Sequence, residues 1–485
     1  MKIKLVLHTV GRVLILEAAL MLLPLAVSVI YGDKCLLAFI ISSSAAAVAG
    51  FLLTKLCHSE NKSLYTRDGL AIVALSWLGI SLFGALPFVI SGSIPSFTDA
   101  FFETVSGFTT TGASILTDVE SLSHGLLFWR SFTHWIGGMG VLVFIMAVME
   151  KTPERSVNIL RAEMPGHSVD KLTPRSSGTA KILYYIYLAM TIIEIVLLLC
   201  GGMPLFDSIV HALGTAGTGG FGIKADSIAS YSPFCQWVIT VFMMLFGVSF
   251  NMYYLLLIKR WREVLRSNEL KCYFGISLAS MLVITVSIFP IYKSISDAVR
   301  LSAFQVSSIV TTTGYATADF DKWPQLAKAV LLVLMFFGGC MGSTAGGLKM
   351  SRVVVLMQIA RNDLRRALRP REVSSVILNG RRVDAQGEKQ VLSYFALYIA
   401  IIGAVFLLIS FEPFGLETNF SATVSCINNI GPGFGLVGPS ASFADYFQSL
   451  FYPLPCCLAG LKYIRSFCCC RRRFGPGDEV LLWKA

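Results

Sequence analysis

The sequence predicts an all-α polytopic membrane protein, on three observations. Of its 485 residues 55% are hydrophobic and only 14% charged, with a mean hydropathy of +0.68, whereas a soluble domain carries about 25% charged residues. Apolar runs of about 20 residues, long enough to cross a bilayer as a helix, recur along the chain. Lys and Arg gather in alternate connections, the bias that orients helices with their basic loops in the cytoplasm. Secreted disulfide scaffolds, disordered regulators and nucleic-acid binders are excluded. The net charge of +11 reads as topology, with no nucleic-acid partner implied.

The apolar runs fall at 10–31, 36–56, 70–90, 126–149, 182–199, 236–258, 274–291, 327–359 and 391–411, with a poor tenth at 446–467. Lys2 and Lys4 before the first run resemble a secretory signal. The run is too long for one and lacks a small-residue cleavage site, so it reads as an uncleaved helix. A cytoplasmic N-terminus puts Lys55, Lys62, Arg67, the basic residues of 151–181, those of 259–271 and the arginines of 361–382 inside. Asp99, Asp118, Asp207, Asp226, Asp319 and Glu417 then lie outside. The arginines of 361–382 read first as this topology signal and second as a docking surface for a cytoplasmic partner.

Between spans on the outer side lie four stretches too short to cross, and length alone makes them re-entrant candidates: 99–112, 207–220, 301–314 and 418–431. Stacked on their final glycines, they share more than a turn. Thr-Thr-Thr-Gly occurs in the first and third, Phe102 matches Phe304, Ser106 matches Ser308 and Ser425, and Val105 matches Val424. The glycines recur at intervals of 108, 94 and 117 residues (112 to 220, 220 to 314, 314 to 431). Such a recurrence predicts four pseudo-symmetric helix–pore loop–helix repeats after an N-terminal helix pair. The pair takes 1–68 and the repeats 69–150, 151–272, 273–388 and 389–485.

A monovalent cation entering hydrocarbon must exchange its water shell for oxygens, which a ring of backbone carbonyls supplies without fixed charge. Gly112, Gly220, Gly314 and Gly431 suit the turns such a ring needs. Thr110, Thr111, Thr218, Thr312 and Thr313 can add hydroxyl oxygens or brace the loops. The short helices aim their partially negative C-terminal ends at the ring, which favours a cation. Gly-rich helix caps in a packed bundle are the plainer alternative, but they leave the shared Ser and Phe offsets unexplained.

The motifs 107–112 (Gly-Phe-Thr-Thr-Thr-Gly), 134–140 (His-Trp-Ile-Gly-Gly-Met-Gly), 217–221, 311–315, 337–347 and 428–433 are similar to those of the Trk-type potassium uptake membrane subunit, in the superfamily with Ktr and the plant HKT transporters. The resemblance covers nearly the whole chain to about residue 449. It implies potassium transport through a central pore, a homodimer in the bacterial inner membrane and a cytoplasmic nucleotide-binding Trk regulatory subunit (TrkA-like) as partner. Nucleotide enters only through that partner, and lipid surrounds the rest. The potassium-binding filter carries over to Thr110, Thr111 and Gly112, to Thr218, Gly219 and Gly220, to Thr312, Thr313 and Gly314, and to Asn429, Ile430 and Gly431. The fourth loop departs from the pattern in lacking threonine.

The eighth run contains Gly338, Gly339, Gly342, Gly346 and Gly347, with Ser343 and Thr344 among them. At about 1 kcal/mol per glycine relative to alanine, a helix break is expected there. On residues alone the glycines fit a gate or close helix packing equally; the resemblance implies a gating loop beneath the filter. Glu17, Glu194, Arg130 and His134, at membrane depth, read as paired or snorkelling structural residues before transport groups.

The C-terminus departs from this plan. Cys456, Cys457 and Cys468–Cys470 hold five of the twelve cysteines beside Pro453, Pro455, Lys462 and Arg465, a combination a span disfavours. A zinc site lacks separated Cys pairs or histidines. A frameshift from about residue 450 is the preferred expectation, because the shifted frame turns Cys-Cys-Cys into Leu-Leu and yields an apolar helix containing the arginine that the family carries there. A chain inactivated by this tail, and a proton- or sodium-coupled symporter of the same fold, are the alternative functions. A solute transporter with midplane binding is disfavoured by re-entrant segments on one side only. No His-Glu-x-x-His or Gly-x-Ser-x-Gly motif supplies an enzyme's constellation.

Overall fold

The structure is a computed structural model, which describes residues 3–57, 66–140, 176–369, 371 and 374–439. The tenth run, its cysteines, the expected frameshift and the basic residues of 151–175 lie outside the described residues.

The described chain is helical apart from one two-stranded hairpin, and the expected membrane fold is observed. α1 (Ile3–Leu20) and α2 (Leu22–Tyr31) form one 29-residue span, and α3 (Leu36–Leu56) packs on it. This span starts at Ile3, earlier than the predicted residue 10. Polar side chains ahead of residue 10 are accommodated: Thr9 Oγ1 donates to Leu5 O at 2.9 Å, and His8 Nδ1 lies 2.9 Å from Thr54 O on α3. Gly11 and Gly50 let α1 and α3 meet backbone to backbone: a Cβ on Gly11 would stand 2.8 Å from Gly50 O.

α4 (Thr66–Gly84) and α5 (Leu86–Ile90) make the next span, followed by the short α6 (Phe97–Phe108) and by α7 (His124–Gly138). The same order of span, short helix, loop and further helix returns with α8 (Ser176–Cys200), α9 (Leu205–Gly217), α10 (Pro233–Phe246) and α11 (Phe250–Leu257). After α12 (Trp261–Arg266) it returns again with α13 (Asn268–Tyr292), α14 (Ile295–Val310), α15 (Gln325–Leu334) and α16 (Met350–Leu368). A hairpin, β1 (Ile377–Leu378) and β2 (Arg381–Arg382), leads to α17 (Ala385–Ile409) and the short α18 (Leu416–Asn428). Ser96 and Ser294 start α6 and α14 by accepting from the N–H groups of Asp99 and Asp297, which satisfies donors that the first helical turn leaves open. Leu282, Val286 and Leu407 face outward from the spans, as hydrocarbon-facing residues do.

Three predicted spans are interrupted. The run 236–258 is two helices, α10 and α11, bent by 91°. Its signal is a single glycine, Gly247, where a Cβ would meet the Tyr273 hydroxyl and lie 2.9 Å from Thr311 Cγ2. In the run 126–149 the helix stops at Gly138 and Gly140 follows at φ +79°, and its residues 141–149 lie outside the described residues. The run 327–359 breaks between Leu334 and Met350, at the expected glycines.

The hairpin turns on Asn379 and Gly380, both at positive φ, as a two-residue loop with the strand twist requires. Gln358 of α16 bonds both the N–H and the carbonyl of Ile377 at 2.9 Å. Asn379 Oδ1 accepts from Ser267 Oγ at 3.0 Å and from Asn268 N at 3.1 Å. The hairpin thus ties α16 to the start of α13.

Candidate functional site: four loops and a broken helix

The four short helices each run into a loop with one backbone signature. Positive φ occurs at Thr110 and Gly112, at Thr218 and Gly220, at Thr312 and Gly314, and at Asn429 and Gly431, with one residue between the members of each pair. Each loop thus enters the positive-φ region twice within three residues. A β-branched residue in the left-handed region costs about 1–2 kcal/mol, so each threonine there is held by its surroundings. Asparagine tolerates that region better, which accounts for Asn429 where the other loops carry threonine.

The glycines show how the loops meet. A Cβ on Gly112 would strike the Gly219 carbonyl, one on Gly220 the Thr313 carbonyl and one on Gly314 the Ile430 carbonyl. A Cβ on Gly431 would lie 3.1 Å from the carbonyl oxygens of Thr111 and Gly112. Loop one therefore abuts two, two abuts three, three abuts four and four returns to one. The twelve sequence-predicted residues, Thr110, Thr111, Gly112, Thr218, Gly219, Gly220, Thr312, Thr313, Gly314, Asn429, Ile430 and Gly431, are brought together in one closed ring of backbone.

Side chains hold the ring from behind. Thr109 Oγ1 bonds Val105 O at 2.7 Å and Thr111 Oγ1 at 2.7 Å; Thr311 does the same with Ser307 O at 2.6 Å and Thr313 Oγ1 at 2.8 Å. The triple threonines of loops one and three are thereby explained: the first caps its own helix and braces the third. Asn429 Nδ2 donates to Thr109 O and joins the fourth loop to the first.

Among the candidate intramembrane charges, Arg130 is paired. Its Nη2 lies 2.7 Å from Glu103 Oε1, with both side chains buried. Glu103 also accepts from Ser114 Oγ at 3.0 Å and Ile115 N at 3.1 Å. Arg130 reaches Gly222 O at 3.3 Å and lies over the Phe221 ring at 4.1 Å, so one satisfied ion pair secures the exits of loops one and two. His134 stacks on Phe221 at 4.2 Å. The Glu17 carboxylate and both ring nitrogens of His134 are buried without a hydrogen-bond partner among the described residues, so the expected pairing does not extend to them; Glu194 is fully buried on α8.

The break between α15 and α16 folds back toward the ring. Gly338 N bonds Leu348 O at 2.9 Å and Met350 N bonds Gly339 O at 3.2 Å, so Gly339, Gly342, Ser343, Thr344, Gly346 and Gly347 form the turn-back. At its tip Gly346 N donates to Thr312 Oγ1 at 2.6 Å. A Cβ on Gly346 would strike Asn428 O and lie 3.0 Å from Asn429 Cβ. The segment also meets the α10–α11 bend: Cys340 N bonds Gly247 O at 2.8 Å, Phe250 N bonds Gly342 O at 3.0 Å, and Thr344 Oγ1 bonds Phe246 O at 3.3 Å. Two broken helices satisfy each other's open backbone groups, the condition for irregular chain at membrane depth. Glu269 Oε1, on α13, accepts from Met341 N at 2.6 Å and Ser351 N at 3.1 Å.

Glu269 and the bend at 247–249 are absent from the sequence-predicted site. No local motif marks Glu269, and its partners lie 72 and 82 residues away.

A family model described as TrkH, cation transport protein, matches residues 34–450. The chain belongs to the TrkH family. TrkH-family relatives include the "Trk system potassium uptake protein TrkH" of Salmonella typhimurium, 35% identical over 447 residues and 91% of each chain. The TrkG protein of the Trk potassium uptake system of Escherichia coli is 32% identical over 90% of this chain and 91% of its own. Among solved structures, the potassium transporter TrkH from Vibrio parahaemolyticus superposes with a TM-score of 0.86 at 29% identity, covering 97% of this chain and 99% of that one. Family and spans together make the chain a multi-pass membrane protein.

Proposed function

We propose that the chain is the membrane subunit of a potassium uptake system of the bacterial inner membrane, with the ring of four loops as its selectivity filter. The observation that carries this reading is the ring itself: four loops, each with two positive-φ residues flanking one other, abutting in cyclic order. A dehydrated cation on its axis meets carbonyl oxygens from every loop and the negative ends of four short helices. Potassium is the cargo because the named relatives are potassium uptake proteins.

The turn-back between α15 and α16 is the gate. Its tip bonds the base of loop three and stands against loop four, so an ion leaving the ring meets it. A nucleotide-binding regulatory subunit of the Trk system acts on the cytoplasmic basic face, and the protein works as a homodimer in lipid.

Rubidium and sodium flux into vesicles tests the filter. Gly112→Ser and Gly314→Ser place a Cβ against a neighbouring carbonyl in a left-handed conformation. Each is expected to lower the potassium-type preference about tenfold, the effect of about 1.4 kcal/mol. Full preference in both variants would remove the filter reading. Complementation of a potassium-uptake-deficient bacterium at limiting potassium tests the transport itself.

A further inference from the structure

Three of the four loops are braced by a serine of their own short helix. Ser106 donates to Ala113 O at 2.6 Å, Ser308 to Tyr315 O at 2.6 Å and Ser425 to Gly431 O at 2.7 Å. Each serine precedes its loop's final glycine by six residues, and each accepting carbonyl belongs to that glycine or to the next residue. In loop two the corresponding residue is Gly214, which has no hydroxyl to offer.

The vacancy is filled from another loop. Tyr315 directly follows Gly314 of loop three, and its ring is fully buried. A Cβ on Gly214 would strike the Tyr315 hydroxyl, so that oxygen occupies the space a serine at 214 would use. It lies 3.4 Å from Phe221 O. Phe221 is the residue after Gly220, the counterpart of Ala113 in loop one and of Tyr315 itself in loop three. The hydroxyl is also 3.2 Å from His211 O and 3.4 Å from His211 Nδ1. His211 is oriented in turn: its Nε2 lies 3.3 Å from the Tyr231 hydroxyl, which donates to Asp207 Oδ2 at 2.8 Å. With Tyr231 giving its proton to Asp207, Nε2 is the donor and Nδ1 is left as an acceptor.

We infer that Tyr315 is a positioning residue for ion selectivity, doing for loop two what Ser106, Ser308 and Ser425 do for the other loops. The inference rests on the reading of the ring as a selectivity filter. A hydroxyl has one proton, which Tyr315 divides among Phe221 O, His211 O and His211 Nδ1. Loop two is therefore held by longer, shared contacts where its neighbours have one short bond each. It also takes its brace from loop three, so the two loops keep or lose their carbonyl geometry together.

The test uses the full chain in lipid vesicles, with rubidium and sodium flux as the readout and Gly220→Ser as the filter control. Tyr315→Phe keeps the ring and its packing and removes only the hydroxyl. Its rubidium-over-sodium ratio is expected to fall about fivefold, the factor one neutral hydrogen bond is worth, with thermal stability in detergent little changed. Adding Gly214→Ser to Tyr315→Phe supplies a serine hydroxyl where the phenol was and should restore the ratio to within about twofold of the parent. Gly214→Ser alone, with the phenol still in place, should lower it.

A Tyr315→Phe ratio equal to the parent's, in a series where Gly220→Ser loses selectivity, overturns the brace and leaves the filter standing. So does a double variant no better than Tyr315→Phe. Unchanged selectivity in Gly220→Ser overturns the filter reading and this inference with it.

Discussion

The ring of loops and the turn-back beneath it are both irregular backbone deep in an apolar bundle, yet they are held in opposite ways. The ring is bound chiefly by its own members: Thr109 to Thr111, Ser308 to Tyr315 O, Asn429 to Thr109 O. The turn-back has two backbone bonds of its own, Gly338 to Leu348 and Met350 to Gly339, and is otherwise tied to other elements, to Glu269 on α13, to Gly247 and Phe250 at the bend and, at its tip, to Thr312 in loop three. A structure secured by itself stays fixed when its neighbours shift; one secured by neighbours moves with them. The ring is thus the self-secured part and the turn-back the part coupled to its surroundings, and the two meet at the Gly346–Thr312 bond.

The largest expected effect attacks the rigid half. Arg130→Met leaves Glu103 charged, buried and uncompensated, which costs about 3–5 kcal/mol. The purified variant should melt well below the parent, and Glu103→Leu added to Arg130→Met should recover much of the loss. No recovery in the double variant would mean that the pair does more than balance charge.

Next comes the latch of the movable half. Glu269→Ala strands the N–H groups of Met341 and Ser351, at about 1–3 kcal/mol for each buried group. Rubidium flux without the regulatory subunit should rise, with the rubidium-to-sodium ratio unchanged. A changed ratio would erase the distinction between the two regions.

Thr312→Val is smaller and falls on a hydrogen bond that joins the two regions. It keeps the β-branched shape and removes the acceptor for Gly346 N, a loss of about 1 kcal/mol. Flux should rise severalfold, less than in Glu269→Ala.

The smallest effect lies at the outer rim, where Asp321 accepts from Gly435 N at 2.9 Å and faces Lys328 at 3.5 Å. Burial pushes its carboxyl above the ordinary aspartate range, with Gly435 and Lys328 pulling against the shift. A raised folded-state value favours the protonated folded form. That contribution is complete below the unfolded value of about 3.9 and is lost as pH rises through the folded one. The parent's melting temperature should therefore gain on that of Asp321→Asn as pH falls from about 7 to about 4.

The legibility of the site in sequence divides along the same line. Ser106, Ser308 and Ser425 are visible at a constant offset because each acts on its own loop, within seven residues. The glycine cluster at 338–347 announces its break by density alone. The bend at 247–249 does not, since one glycine in an apolar run carries no such signal, and a bonding partner 93 residues on (Gly247 to Cys340) makes the break affordable. Glu269 acts on Met341 and Ser351, 72 and 82 residues away, and Tyr315 on the loop before its own, and nothing in their local sequence names the recipient. Gly214 was readable as a missing serine, but its substitute stands 101 positions later in the chain (214 to 315).

The bond from Asn429 to the Thr109 carbonyl spans 320 residues. Ribosomes deliver this protein from its N-terminus, so loop one enters the membrane long before the partner that completes it. Until α18 arrives, three loops surround an axis open on one flank, without the last set of carbonyls and without the amide that fixes the first. A product truncated before α18 therefore lacks both the fourth loop and the amide that fixes the first, and its ring cannot close.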